Sequence, residues 1–230
     1  MKAIFITGTD TAVGKTIVCG LIARYFKEQG YNVITQKWFQ TGGFLIDIKT
    51  HLKIMGEKIN VFKKYIKYLC PYILKFPSSP HLAAKLEGKK ILKNKIKESF
   101  NYLLNKFDFV IVEGTGGVLV PYNKKNLSVE IVKELNLPTV VVVANRLGAI
   151  NHTLLTIEVI QKRQIKILGL IFNNLIKNEN DLILEDNIKI IKKLTRKNIF
   201  GVLPYEENIE VLYKKFLSIG KKIFSALKNE

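Results

Sequence analysis

Lys2-Ala3-Ile4-Phe5-Ile6-Thr7 runs straight into Gly8-Thr9-Asp10-Thr11-Ala12-Val13-Gly14-Lys15-Thr16, and the fold is decided there. The opening run is mostly apolar and β-branched, which suits a buried strand. A glycine-bounded turn follows. Ile17-Val18-Cys19-Gly20-Leu21-Ile22-Ala23-Arg24-Tyr25-Phe26 then reads as a helix with one apolar stripe. Strand, turn, Gly-Lys-Thr and helix in that order are the context of a phosphate-binding loop. Such a loop aims several backbone N–H groups at one anion, and the helix adds the positive end of its dipole. The expected cradle runs from Ala12 through Val13, Gly14, Lys15 and Thr16 to Ile17. Lys15 reaches the outer phosphates and the Thr16 hydroxyl ligates Mg²⁺. At Gly14 a Cβ would hold the backbone off the phosphate. The spacing has one oddity: the usual first glycine position holds Thr9, and Gly8 lies one residue earlier.

Composition bounds the rest. A chain of 230 residues, 47% hydrophobic and 24% charged, is read as one α/β domain spanning residues 1–230. No apolar run approaches the roughly 20 residues a bilayer span needs. The longest clean run, Thr139-Val140-Val141-Val142-Val143-Ala144, reads as a buried strand. The chain enters strand and loop with no signal peptide, and Cys19 and Cys70 make neither a disulfide framework nor a zinc site. The expected location is the cytoplasm, with no membrane partner. The net charge of +18 raises the question of nucleic acid. Only four of the 37 basic residues are arginine, the side chain best suited to bidentate phosphate contacts, and the lysines are scattered. The charge is therefore read as a solvated, compositionally biased surface rather than a nucleic-acid face.

Along the chain, the first helix is expected to end at Gly30, and Tyr31 to Thr35 to form a second strand that delivers Lys37 and Thr41 beside the loop. Ile46 to Met55 reads as a helix with Asp47 in its first turn. Asn60 to Phe76 is basic and aromatic, either a surface helix or an RNA-stacking patch, broken by Pro71 and Pro77. Lys89 to Lys106 is a Lys-rich amphipathic helix. Phe107 to Val112 is a third strand ending in Glu113-Gly114-Thr115-Gly116-Gly117, and a carboxylate there is placed for a second Mg²⁺ contact. Pro138 to Ala144, Ile165 to Phe172 and Asn198 to Leu203 are further strands, with helices between and after them. Alternation throughout predicts a P-loop NTPase-like, three-layer α/β/α fold on a mostly parallel sheet. Thr11, Lys15, Thr16, Lys37, Thr41, Glu113, Asn173 and Asn174 then share one rim, where open α/β sheets bind ligands. Trp38 and Phe39 are read as packing, and His81 and His152 as capping or structural.

At this point the chain resembles the ATP-dependent dethiobiotin synthetases. The resemblance rests on Gly8-Thr9-Asp10-Thr11 with Val13-Gly14-Lys15-Thr16, on Lys37 followed by Thr41-Gly42, and on Pro71-Tyr72 with Pro77 and Ser79-Pro80-His81. It continues in Val112-Glu113-Gly114 with Gly116-Gly117 and in Leu147-Gly148 with Ile150-Asn151-His152. It implies a reaction of 7,8-diaminononanoate, CO₂ and ATP, with Mg²⁺, that closes a cyclic urea. Lys37, Lys15 and Thr11 match the family's catalytic positions. Thr16, Asp47 and Glu113 match its Mg²⁺ contacts, and Thr41, Thr11, Gly148 and Asn151 its substrate contacts. The segment Glu113 to Gly116 matches the nucleotide contacts, and Asn173, Asn174, Pro204, Tyr205 and Glu206 fall where the family reads the adenine. Asn151 matches a residue that grips substrate across a homodimer interface. Four positions depart from the pattern. Ala12 stands for a Glu, Trp38 for a Pro, Cys70 for an Asn and Arg146 for a Lys. The alternative reading is a partitioning-type P-loop ATPase, which usually carries an extra loop lysine where this chain has Asp10-Thr11-Ala12.

Overall fold

In the computed structural model, which describes residues 2–177 and 179–228, the centre is β1 (Ala3–Gly8), buried along its whole length. It pairs in parallel with β5 (Phe109–Glu113) on one side and β6 (Thr139–Ala144) on the other. β2 (Val33–Lys37) lies outside β5; β7 (Ile167–Asn173) and β8 (Ile199–Leu203) lie outside β6. The order is β2-β5-β1-β6-β7-β8, and all five pairings are parallel. Strands covered on both faces need apolar residues at every position, which is why Phe109–Glu113 and Thr139–Ala144 read as runs rather than alternations.

Helices flank the sheet: α1 (Lys15–Glu28), α5 (Lys93–Leu104), α6 (Ser128–Glu134), α7 (Ala149–Lys162), α8 (Asp181–Thr195) and α9 (Ile209–Lys228). Shorter α2 (Ile46–Ile54), α3 (Ile66–Leu69) and α4 (Pro80–Leu86) follow β2. The core joins α1 to α9 through Phe26, whose ring meets Phe109 at 4.8 Å and Phe224 at 5.3 Å. Edge-to-face pairs of this kind add about 1 kcal/mol each to their buried area. The chain leaves β1 for β2, returns through β5 and crosses to β6, so strand order reverses beside β1. Ligands bind in the crevice at the carboxyl ends of such a switch point. No helix among the described residues is long and apolar enough to cross a membrane.

Several elements differ from expectation. The second strand runs two residues further than read, so Lys37 is its last residue rather than a follower. β3 (Phe39–Thr41) and β4 (Tyr72–Leu74) form a separate two-stranded parallel sheet that the sequence reading lacked. Three-residue strands carry no period to detect. The basic, aromatic stretch Asn60–Phe76 is not one continuous helix. It is a 3₁₀ helix (Ile59–Tyr65), then α3 and β4. Its rings turn onto the protein: Tyr68 stacks on Tyr102 at 3.7 Å and Tyr65 meets Phe107 edge-on at 5.2 Å. The helix expected from Lys89 starts at Lys93 instead. The backbone N–H of Leu92 donates to the Tyr72 hydroxyl at 2.7 Å, which holds the preceding residues extended. Trp38 and Phe39 pack as read, stacked on Phe5 and Tyr122 at 5.4 and 5.8 Å.

Candidate functional site

The phosphate loop is braced from the neighbouring strand. Gly14 closes it at φ 93°, a left-handed conformation that a side chain strains. A Cβ at Gly14 would also lie 2.1 Å from the Asn173 amide nitrogen. That amide donates to the Val13 carbonyl at 3.0 Å. The glycine requirement read from phosphate approach thus has a second cause, close contact with the end of β7. The Lys15 ammonium folds back over the loop and donates to the Asp10 carbonyl at 2.7 Å. Burial pushes Lys15 down to about 8, and the Lys37 cation nearby acts in the same direction. Thr11 is exposed at the loop's outer edge, its N–H on the Asp10 carboxylate at 2.7 Å.

Two strand ends and two helices meet at Glu113. It is buried at the end of β5, level with Lys37 in the parallel register. The Lys37 ammonium, 4% exposed, donates to Glu113 Oε1 at 2.7 Å and to the Gly114 carbonyl at 3.2 Å. It also pairs with Asp47 Oδ2 at 2.7 Å. Three acceptors thus use the ammonium's three donors. Thr16 donates its hydroxyl to the same Glu113 oxygen at 2.9 Å. The other oxygen, Oε2, lies 2.8 Å from Nε2 of fully buried His51 on α2. Burial alone would raise the Glu113 carboxyl, but Lys37 and then His51 outweigh it and hold it down at about 2. Burial likewise opposes the charge on Lys37, yet Glu113 and Asp47 hold it well above the usual lysine range.

Thr11, Ala12, Gly14, Lys15, Thr16, Lys37, Thr41, Asp47, Glu113, Thr115 and Gly116 line one cavity of about 410 Å³. The shared pocket expected at the sheet rim therefore exists, and the side chains of residues 15, 37 and 113 face it together. Thr115 is fixed there by its hydroxyl, which donates to the Phe39 carbonyl at 2.8 Å. Gln40, which the sequence reading passed over, lines the cavity too and accepts the Asp47 N–H at 3.2 Å. Hydroxyl and carboxylate oxygens are the donor set of a hard divalent cation. Thr16 and Glu113 share a contact, and Asp47 and Glu113 already bracket one positive charge, the Lys37 ammonium. These residues fit Mg²⁺.

The remaining expected residues lie outside that cavity. Asn173 ends β7 and Asn174 follows it, and Pro204, Tyr205 and Glu206 follow β8 on the same rim. Asn174 is tied to this edge by its N–H on the Leu203 carbonyl at 2.8 Å. Glu206 accepts the Asn208 N–H and pairs with Lys215, both at 3.1 Å. Gly148 supplies the left-handed turn, φ 87°, that opens α7, and Asn151 is exposed on that helix. His81 bonds the Ser79 hydroxyl at the start of α4, a structural contact rather than a cap, since no side chain caps that helix. The sequence reading missed His51: a lone histidine at i+4 from Asp47 gives no signal until β5 is placed beside α2.

The fold and this cavity define a P-loop enzyme that handles a nucleotide. A family model described as an AAA domain matches residues 2–211. The fold is shared with the MinC:MinD cell division protein complex of Aquifex aeolicus (TM-score 0.62, 15% identity, 100% of this chain and 97% of that one). It is shared likewise with pNOB8 ParA bound to nonspecific DNA (TM-score 0.61, 13% identity, 100% and 99%). Curated relatives are closer in sequence. The ATP-dependent dethiobiotin synthetase of Clostridium perfringens is 38% identical over 215 residues, 91% of this chain and 93% of the relative. The corresponding Haemophilus influenzae enzyme is 42% identical over 174 residues, 75% and 91%. The chain belongs to the ATP-dependent dethiobiotin synthetase family, a family of ligases that form C–N bonds, and the resemblance read from its motifs is borne out.

Proposed function

We propose that the protein carboxylates 7,8-diaminononanoate with CO₂ and closes the ureido ring at the expense of ATP, in the cavity between the phosphate loop and Lys37. The observation that carries this reading is the buried Lys37 ammonium, set between Glu113 and Asp47 in the cavity that Lys15 and Thr16 also line. A diamine takes up CO₂ as a carbamate. A carbamate oxygen attacks the γ-phosphorus and ADP leaves. The second amine then attacks the carbamoyl carbon of the mixed anhydride, and phosphate leaves as the ring closes. Negative charge gathers on carbamate and transferring phosphoryl group, so fixed cations are the catalytic need. Lys37 neutralises carbamate and γ-phosphate, and Lys15 and the loop N–H groups hold the triphosphate. Thr11 and Thr41 position the diamine. Asn173, Asn174, Pro204, Tyr205 and Glu206 receive the adenine. Thr16, Asp47 and Glu113 would hold Mg²⁺, which supplies electrophilic charge to the phosphates. Asn151 serves a second copy of the chain across a dimer interface, where it grips the substrate carboxylate. The enzyme works in the cytoplasm, where its two buried thiols, Cys19 and Cys70, stay free.

ATP turnover measured with and without the diamine and bicarbonate tests the proposal. Turnover should require both. Lys37→Ala should lower it at least about 10³-fold, the scale of losing a principal charge-stabilising group, with nucleotide binding retained. Wild-type rates in that variant would remove Lys37 from the chemistry. One observation favours a second reading. Lys192, Lys193, Arg196, Lys197, Lys221 and Lys222 line a groove at the opposite end of the sheet, beside the first residues of β8. A partitioning-type ATPase would use such a face on DNA. ATP hydrolysis stimulated by DNA and indifferent to the diamine would establish that reading instead.

A further inference from the structure

We infer that His51 is a positioning residue: through Nε2 against Glu113 Oε2 it fixes the plane of the carboxylate whose other oxygen meets Thr16 and Lys37 and faces the metal. The inference rests on the assignment of Glu113 as a metal ligand. His51 is fully buried, with a polar side chain against each ring nitrogen. Nδ1 lies 3.0 Å from the Thr35 hydroxyl on β2, and Nε2 lies 2.8 Å from Glu113 Oε2 on β5. The Nε2–Oε2 approach is a close polar contact outside hydrogen-bond alignment, and among the described residues neither atom has an aligned partner elsewhere. The two oxygens of Glu113 therefore have separate duties. Oε1 accepts from Thr16 and Lys37, and Oε2 has only His51. Without the imidazole, the carboxylate plane would be free to turn about the Cγ–Cδ bond and carry its oxygen out of line with Thr16 and Lys37.

Cys19 Sγ lies within 4.8 Å of both His51 Nε2 and Glu113 Oε2, which suggests a metal site of its own. The spacing argues against one. Two ligand atoms at about 2.0–2.1 Å from a zinc ion in tetrahedral geometry stand more than 3 Å apart, and the histidine and carboxylate atoms are at 2.8 Å. Burial, reinforced by Glu113, also keeps the Cys19 thiol protonated. The trio is a support behind the cavity. Histidine held behind a ligating carboxylate is an outer-shell partner, and loss of such a partner typically costs about 10–100-fold in metal affinity or activity.

His51→Leu removes the nitrogen at similar bulk, and His51→Gln returns an amide N–H near the Nε2 position. Mn²⁺ binding in the presence of a non-hydrolysable ATP analogue, followed by electron paramagnetic resonance, reads metal affinity without turnover. The leucine variant should bind Mn²⁺ about tenfold more weakly and lose kcat with little change in KM for the diamine. The glutamine variant should recover to within about threefold. Thr35→Val, which frees the ring's other nitrogen, should move the same readouts in the same direction by less, and it keeps the question answerable if leucine unfolds the protein. A leucine or valine variant with lowered Tm but wild-type Mn²⁺ affinity would make His51 a core residue only and overturn the inference. Glu113→Gln is the control. If it leaves Mn²⁺ binding unchanged, the ligand assignment itself falls and takes the inference with it, while Mn²⁺ loss in Glu113→Gln beside wild-type affinity in His51→Leu condemns the inference alone.

Discussion

Single residues at this site are fixed by more than one constraint, and the constraints differ in how they show. Gly14 was legible from its place before Lys15, yet its contact with Asn173 was not, since 159 residues separate the pair in sequence. Gly14→Ala should cost about 1–3 kcal/mol from the left-handed backbone alone. Because the new methyl also displaces the Asn173 amide from Val13, nucleotide affinity should fall along with stability; calorimetric titration and a melting curve would check both. Lys15 gives a pH prediction. Its ammonium sits at about 8 rather than the ordinary 10.5, so in the free protein about half of it has lost its proton at pH 8 and most of it by pH 9. A bound triphosphate favours the charged form. Nucleotide binding between pH 8 and 9 should therefore take up protons, and affinity should fall as pH rises through that window. Titration in two buffers of different ionisation enthalpy measures the uptake, and zero uptake would remove Lys15 from the phosphates.

At the scale of elements, what sequence reveals depends on period and length. β1, β5 and β6 are long and apolar throughout, and each was read within a residue or two. β3 and β4 were invisible, although they carry Thr41 and steady the start of α2. That start is improvised. Leu45 adopts φ 56°, no side-chain cap of its own is present, and Gln40 on β3 supplies the missing acceptor for the Asp47 N–H. An acceptor for a first-turn N–H is worth about 1 kcal/mol. Gln40→Ala should lower stability by that order and let Asp47 drift from Lys37. The Mg²⁺ concentration for half-maximal activity should rise several-fold with kcat at saturating Mg²⁺ nearly unchanged. An unaltered Mg²⁺ requirement would show that α2 needs no help from β3. Asp47 itself was readable as an acid in a helix's first turn; its 2.7 Å contact with Lys37 depends on α2 packing against β2.

Among the described residues, large apolar side chains stand exposed beside the rim around α7. Leu147, in the turn before α7, is 78% exposed, and Leu155, one helical turn beyond exposed Asn151 on α7, is 54% exposed. Two large leucines facing water on either side of a substrate-contact candidate are unfavourable in a lone chain and favourable against a second copy. An isologous pairing would place each Asn151 near its neighbour's rim. The +18 charge opposes such pairing at low ionic strength, so association should strengthen as salt screens it. Sedimentation should find a dimer at physiological salt, and Leu155→Glu should shift it to a folded monomer, with native circular dichroism and a Tm that no longer depends on protein concentration. If Asn151 reaches substrate only across the interface, the monomeric variant should keep its nucleotide affinity and raise KM for the diamine about tenfold, the cost of roughly 1.4 kcal/mol of lost binding. Asn151→Ala in the dimer should raise KM by the same factor, and the two changes combined should do no more than either alone. Additive losses would place Asn151 and the interface in separate roles.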